Sequence, residues 1–379
     1  MKSFIYRFFS IWIGIILFFI GLEVVLRINA FKSNDFSENH SVLKEKEEVQ
    51  FFEYDPLLGW KGKPSVSGYQ IGKHDKVWVS LNSLGFREKE FSPQKKTGIK
   101  RILILGDSQT WGSGVEQDER FSDVLEQLLK EHEVSVEVLN LGMTGYGTDQ
   151  EFLLYQKLGV DYLPDLVIVA FYWNDLFENS MSRVYGYPKP QFVVGEEGKL
   201  TLTNVPVPQT DWTKQKEMVH ASLKEKKKGK KLTFKNWLLR YSYAFQKFTN
   251  AMRGNPFLYR VAVKFGLAGD PRINPQSLEW RMTKLLLEEL RSYVRENGGD
   301  FLVVVIPDRS DFEMAIYPLR RALIDDMKHL SCLDLYPSIV SQRRPSKMIY
   351  QNDIHLNAEG NRLIAEALSH YLLEKRSLK

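Results

Sequence analysis

Cysteine is almost missing from this chain, with one residue, Cys332, in 379. No intramolecular disulfide can form, and a zinc site built on a cysteine cluster is excluded. Set in the apolar stretch "LSCLDLY", Cys332 reads as a small core residue. Net charge is scarce too. The 52 basic residues stand against 47 acidic ones, leaving +5, and no nucleic-acid motif accompanies them, so no nucleic-acid partner is expected. The P-loop pattern G-x-x-x-x-G-K-[ST] is absent: Gly106 to Gly112 is one residue too long, and Ser113 stands where lysine is required. Gly112-Ser113-Gly114 does not continue into a dinucleotide fingerprint. H-E-x-x-H is missing, and His355 has no nearby His or Cys partner. No cofactor or metal is expected, and no internal repeat is present.

A long apolar run is present. From Phe8 to Ile28, "FFSIWIGIILFFIGLEVVLRI" is long enough to cross a hydrocarbon core of about 30 Å as a helix. Only Glu23 and Arg27 interrupt it, four apart and near its end. No A-x-A-like cleavage site follows, so residues 1–30 read as an uncleaved anchor. Lys2 and Arg7 before it nearly balance Arg27 and Lys32 after it. The expected orientation is amino terminus inside and the bulk of the chain outside.

Residues 31–50 read as a polar linker. Residues 51–99 read as a small strand-containing segment, with alternating Val77, Val79 and Leu81 ending in an Asn82–Gly85 turn. From residue 100 onward, short β-branched runs alternate with helical patterns. Strands are expected at Ile102–Leu105, Val134–Leu139, Leu166–Phe171 and Phe301–Ile306, with a fifth in "LSCLDLY". Such runs suit a parallel sheet buried on both faces, so the fold class is α/β, a three-layer α/β/α sandwich. The alternation lapses in an insert at 178–275. The insert contains a hairpin pattern around "VVGEEGKLTL", a basic run "KEKKKGKK", and an aromatic stretch "NWLLRYSYAFQKF". The basic run reads as a solvated segment, with contact to an anionic membrane surface as the second reading.

Sites in open parallel sheets form at the carboxyl ends of the strands. Ser108 follows the first strand, Gly142 and Gly145 the second, and Asn174 the third. Asp353 and His355 lie between the last strand and the last helix. Serine attacks an acyl carbon once an imidazole removes its proton, and a carboxylate orients that imidazole. The tetrahedral oxyanion needs donors, which the Ser108 and Gly145 N–H groups and Asn174 Nδ2 can supply. Each part alone has a plainer reading: a strand-to-helix turn at Ser108, turn glycine at Gly145, a cap at Asn174, a packed histidine at His355. What favours chemistry is their joint occurrence at successive strand ends.

Four blocks carry a resemblance: "LGDSQTWG", "LGMTGYGT", "FYWNDL" and "NDIHLNAEGNRLIAEAL". In that order they resemble the SGNH, or GDSL-like, hydrolases from about Lys100 to the carboxyl terminus, with the insert outside the match. "DPLLGWKGKP" and "NSLGFREKE" resemble segments of membrane-anchored bacterial members. The resemblance implies a flavodoxin-like sheet and metal-free ester hydrolysis or acyl transfer. It implies Ser108 as nucleophile, His355 as base, and Ser108, Gly145 and Asn174 as the oxyanion hole. The commoner pattern sets the acid three residues before the histidine, where this chain has Asn352. Asp353, two before, is assigned as the acid, with a turn expected at 352–355. The expected substrate is an acylated, chiefly O-acetylated, carbohydrate of the cell envelope or an exported polymer, or another small ester, and the expected location is a bacterial inner membrane with the hydrolase domain in the periplasm. Transfer of the acyl group to a carbohydrate, and a non-catalytic carbohydrate-binding or assembly role, are the alternatives.

Overall fold

The computed structural model describes residues 49–71, 76–195, 197–210, 273–313, 316–341, 345–350 and 353–375. The apolar run at 8–28, the basic run and the aromatic stretch of the insert lie outside the described residues. Among the described residues, no helix is long and apolar enough to cross a membrane.

Two antiparallel hairpins come first: β1 (Phe52–Asp55) with β2 (Gly59–Gly62), and β3 (Ser67–Ile71) with β4 (Lys76–Ser80). Along β4 the side chains alternate, Val77 and Val79 inward and Lys76, Trp78 and Ser80 outward, as the strand period of two requires. The turn after it forms, with Gly85 N–H donating to Asn82 O at 3.0 Å.

The principal sheet contains β5 (Lys100–Gly106), β6 (Val136–Asn140), β7 (Leu166–Phe171), β12 (Asp300–Val305) and β13 (Cys332–Asp334). Between β7 and β12 lie the short hairpins β8 (Arg183–Val184) with β9 (Tyr187–Pro188), and β10 (Gln191–Val194) with β11 (Leu200–Thr203). The five strands are parallel, in the order β13-β12-β7-β5-β6. Chain order therefore reverses beside β5, which makes a crevice between the loops leaving β5, β6 and β7.

The helices are α1 (Ser108–Trp111), α2 (Phe121–Glu131), α3 (Thr148–Lys157), α4 (Asp175–Glu178), α5 (Leu278–Glu296), α6 (Arg309–Glu313), α7 (Tyr317–Asp326), α8 (Tyr336–Val340) and α9 (Ala358–Lys375). Successive residues of β5 feed opposite layers. Ile102 and Ile104 pack with Phe121, Leu125, Ile364 and Leu368 of α2 and α9. Leu103 and Leu105 pack with residues of α3 and α5, including Leu153, Trp280 and Leu287. β7 alternates likewise, Ile168 to one side and Val169 to the other. Both faces are covered, so the strands read as unbroken apolar runs. Each such side chain contributes roughly 1.5–3 kcal/mol by leaving water.

Residues 51–99 do not stand apart. Leu58, Trp60, Val79 and Phe86 enter the same core as Leu103 and Leu105. The buried Arg87 guanidinium donates to Gly112 O and Val115 O, each at 2.7 Å, which ties "NSLGFREKE" to the loop after α1. The start of the insert is also tied down: Phe192 stacks on Phe152 with centroids 6.1 Å apart. Cys332 is half-buried on the edge strand β13 rather than a full core residue. Burial pushes its thiol up to about 12.

Candidate active site

β5 leaves the sheet at the crevice, and its last residue must be small. A Cβ at Gly106 would stand 2.0 Å from Thr110 Oγ1, so the chain turns tightly only without a side chain there. Asp107 then leaves the extended conformation, and its Oδ1 accepts the Gln109 N–H at 2.8 Å, capping α1. Ser108 is thereby the first helical residue, 8% exposed at the mouth of the crevice.

The histidine arrives from the other end of the domain. Ile349 bridges Leu356, Tyr350 N–H donates to His355 O at 3.0 Å, and Asp353 N–H donates to Tyr350 O at 3.2 Å. This closes a tight loop before α9, which Asn357 caps by accepting the Gly360 N–H at 2.9 Å. His355 Nε2 stands 2.9 Å from Ser108 Oγ, and His355 Nδ1 stands 2.9 Å from Asp353 Oδ1. A carboxylate at Nδ1 calls for the tautomer that carries its proton there, leaving Nε2 to accept from the serine. Partial burial pushes the Asp353 carboxyl up, but the Ile354 amide and His355 outweigh it and hold the group below its ordinary value. Asn352 lies outside the described residues.

Gln109, beside the serine, clasps this loop on both sides of the histidine. Its Nε2 donates to Ile354 O at 2.9 Å, and its Oε1 accepts from Leu356 N–H at 3.1 Å. Tyr172 adds a third tie, its hydroxyl donating to Asp308 Oδ2 at 3.0 Å and reaching Ile354 O at 3.3 Å.

The loop after β6 is anchored by Asn140. Its Nδ2 donates to Thr110 O and Ser122 Oγ, each at 2.7 Å, while its Oδ1 accepts from Gly142 N–H at 2.9 Å. The chain can then adopt φ +78° at Gly145, a left-handed value that suits glycine. A Cβ there would stand 3.4 Å from Trp60 Cζ2 and 3.5 Å from Tyr185 Cε2. The N–H groups of Ser108 and Gly145 make no hydrogen bond among the described residues. Asn174, at the head of α4, differs. Its Nδ2 donates to Glu178 Oε2 at 3.1 Å, and its carboxamide lies beside the Asp107 carboxyl. Two of the three expected donors are thus unengaged, and the third already serves an acid.

Behind the serine lies a set of buried acids. Burial pushes Asp107 up to about 7, with the Gln109 N–H opposing and Glu178 adding to the rise. Glu151 rises well above its ordinary value through burial, then through Asp107 and Asp149. Both its carboxyl oxygens are buried without a hydrogen-bond partner among the described residues. Asp175 rises likewise, burial first and then Glu151 and Asp107, although Thr148 Oγ1 donates to its Oδ2 at 3.0 Å. Asp149 is paired with buried Lys189 at 2.6 Å. Among the described residues, no three His, Cys, Asp or Glu side chains are arranged to hold a metal ion.

The structure therefore brings Ser108, His355 and Asp353 into one hydrogen-bonded row and sets Gly145 and Asn174 on loops at the same sheet end. Gln109, Tyr172, Asn140 and the buried acids were not singled out from sequence. Only the adjacency of Gln109 to Ser108 offered a signal. The row can transfer the Oγ proton to Nε2 as Oγ attacks a carbonyl carbon, with Asp353 stabilising the imidazolium.

Comparison with known proteins gives one family match, to the GDSL-like lipase/acylhydrolase family, over residues 104–363. No curated protein matches the chain. Among solved structures, one similar to it is TesA, at 10% identity and TM-score 0.40, covering 72% of this chain and 98% of that one. The esterase EstA from a Pseudoalteromonas species is similar at 11% identity and TM-score 0.38, covering 73% and 98%. The acetyl xylan esterase AlAXEase is similar at 12% identity and TM-score 0.38, covering 72% and 99%.

Proposed function

The chain belongs to the GDSL-like lipase/acylhydrolase family and is a serine hydrolase, and from that premise we propose that it cleaves O-acetyl esters of envelope or exported carbohydrate through Ser108. The observation that carries the catalytic reading is the row Asp353–His355–Ser108, held by two contacts of 2.9 Å. His355 takes the Oγ proton and returns it to the leaving alcohol. Asp353 fixes the tautomer, and the N–H groups of Ser108 and Gly145 receive the oxyanion with Asn174. Water then resolves the acyl-enzyme by the same proton path.

The carbohydrate substrate and the inner-membrane site are proposals of a second order. They rest on the apolar run at 8–28, a span suited to anchoring. An anchor there with its amino terminus inside puts the hydrolase in the periplasm, beside envelope polymers.

The test is to incubate the full-length chain with p-nitrophenyl acetate and with a serine-directed fluorophosphonate. Turnover, together with labelling lost in Ser108→Ala, is the expected result. Absence of both sinks the catalytic reading and favours a binding role. Acetate appearing on an added glycan rather than in solution identifies transfer in place of hydrolysis.

A further inference from the structure

Tyr185 occupies a position that local backbone preference disfavours. It is the first of two residues linking β8 to β9, followed by Gly186, and their φ values are +50° and +87°. Two-residue hairpin turns with positive φ at both positions favour Asn, Asp or Gly at the first, and a bulky residue at positive φ is strained. The strained side chain is not used to fill the core, since Tyr185 is 60% exposed. It leans instead over the crevice. The Cδ2–Cε2 edge of its ring faces Gly145, within 3.6 Å of where a Cβ there would stand. Its hydroxyl lies near the carboxylate of Glu178, which accepts from Asn174 Nδ2. The ring is thus packed at one edge, and much of its surface is left to solvent beside a proposed oxyanion donor.

We propose that Tyr185 is a substrate platform, on which the pyranose ring of a sugar ester stacks while its acyl carbon meets Ser108. The inference rests on the esterase reading above and deepens it by naming the residue that recognises the sugar. Axial C–H bonds of a pyranose carry partial positive charge and pack on the negative face of an aromatic ring. A ring already packed edge-on against Gly145 loses less freedom when it does so. Strain in an exposed aromatic beside a proposed oxyanion donor is the kind that binding sites retain.

Two variants of the full-length chain test this. Tyr185→Asn removes the ring and installs a residue the turn prefers; Tyr185→Phe keeps the ring and removes the hydroxyl. The readout is the ratio of kcat/KM for glucose pentaacetate to that for ethyl acetate, which share an acyl group and differ in the ring. Tyr185→Asn should lower the ratio by about tenfold or more with no loss in Tm, while Tyr185→Phe should keep it within about threefold. An unchanged ratio in Tyr185→Asn overturns the platform. So does an equal fall in Tyr185→Phe, which would assign the effect to the hydroxyl. A selective loss on ethyl hexanoate relative to ethyl acetate would make Tyr185 an acyl-pocket wall and also overturn it. A parent protein that cleaves ethyl acetate but not glucose pentaacetate overturns the sugar assignment alone. A parent inert toward every ester overturns the esterase reading itself.

Discussion

Gln109 accepts the backbone N–H of Leu356 at 3.1 Å, across 247 positions of chain, while its Nε2 donates to Ile354 O at 2.9 Å. One side chain thus grips the peptide groups on either side of His355. Because Gln109 is the residue after Ser108, the loop carrying His355 is registered to the loop carrying Ser108.

Gln109→Ala should therefore lower kcat for p-nitrophenyl acetate by about 10- to 100-fold and leave KM nearly unchanged, since displacing a catalytic group by about 1 Å costs that much. Fluorophosphonate labelling of Ser108 should slow in parallel. A KM effect with kcat intact would show that Gln109 contacts substrate instead of positioning His355.

Asp353 and Asn352 compete for the role of acid, and a pair of variants separates them. Asp353→Ala should reduce kcat by at least about a hundredfold, and Asn352→Ala by much less. Because Asp353 is held below its ordinary 3.8, the stability it contributes is present above that value and is lost as pH falls through the lower folded one. The Tm difference between parent and Asp353→Ala should accordingly shrink toward zero in strong acid. A larger kcat loss in Asn352→Ala reverses the assignment.

The Gly145 conformation gives a third test. Gly145→Ala places a Cβ at a φ of +78° and 3.4 Å from Trp60, which strains the loop that presents the amide. Removing or misplacing one oxyanion donor costs roughly a hundredfold or more in kcat, and Gly145→Ala should approach that loss with KM little altered. Wild-type kcat in this variant would remove Gly145 N–H from the mechanism.

Glu151 supplies a pH prediction of opposite sign to Asp353. Its folded pKa is raised, through burial and then through Asp107 and Asp149. Below its unfolded value the group is protonated in both states and contributes nothing. As pH rises above that, only the unfolded chain gains by ionising, and folding weakens. Glu151→Gln lacks this liability. Its Tm relative to the parent should be near zero at pH 4 and grow increasingly positive toward pH 8. A difference that does not change with pH would mean Glu151 is not held neutral by its surroundings.

The sequence by itself determined what depends on local pattern. Leu166–Phe171 forms a strand over the bounds its apolar run suggests, because a strand covered on both faces has no polar position to blur its ends. The "VVGEEGKLTL" hairpin pairs Val194 with Leu200, since Gly198 supplies the positive φ of +74° at the reversal. Ser108, Gly145, Asn174 and His355 fall at strand ends by connectivity alone, so their convergence on one rim was legible before any distance was known.

Only the tertiary structure decided which neighbours those residues acquire. Gln109 meets Ile354 and Leu356, Tyr185 meets Gly145, and Glu151 meets Asp107, each across tens to hundreds of positions with no periodicity to announce the pairing. Periodicity reports which face of an element is buried. It is silent on which side chain from another element arrives there, because that depends on how the layers pack. The same packing withdraws Asp107, Glu151 and Asp175 from water, and a carboxyl group's charge is set by its surroundings rather than by its place in the chain.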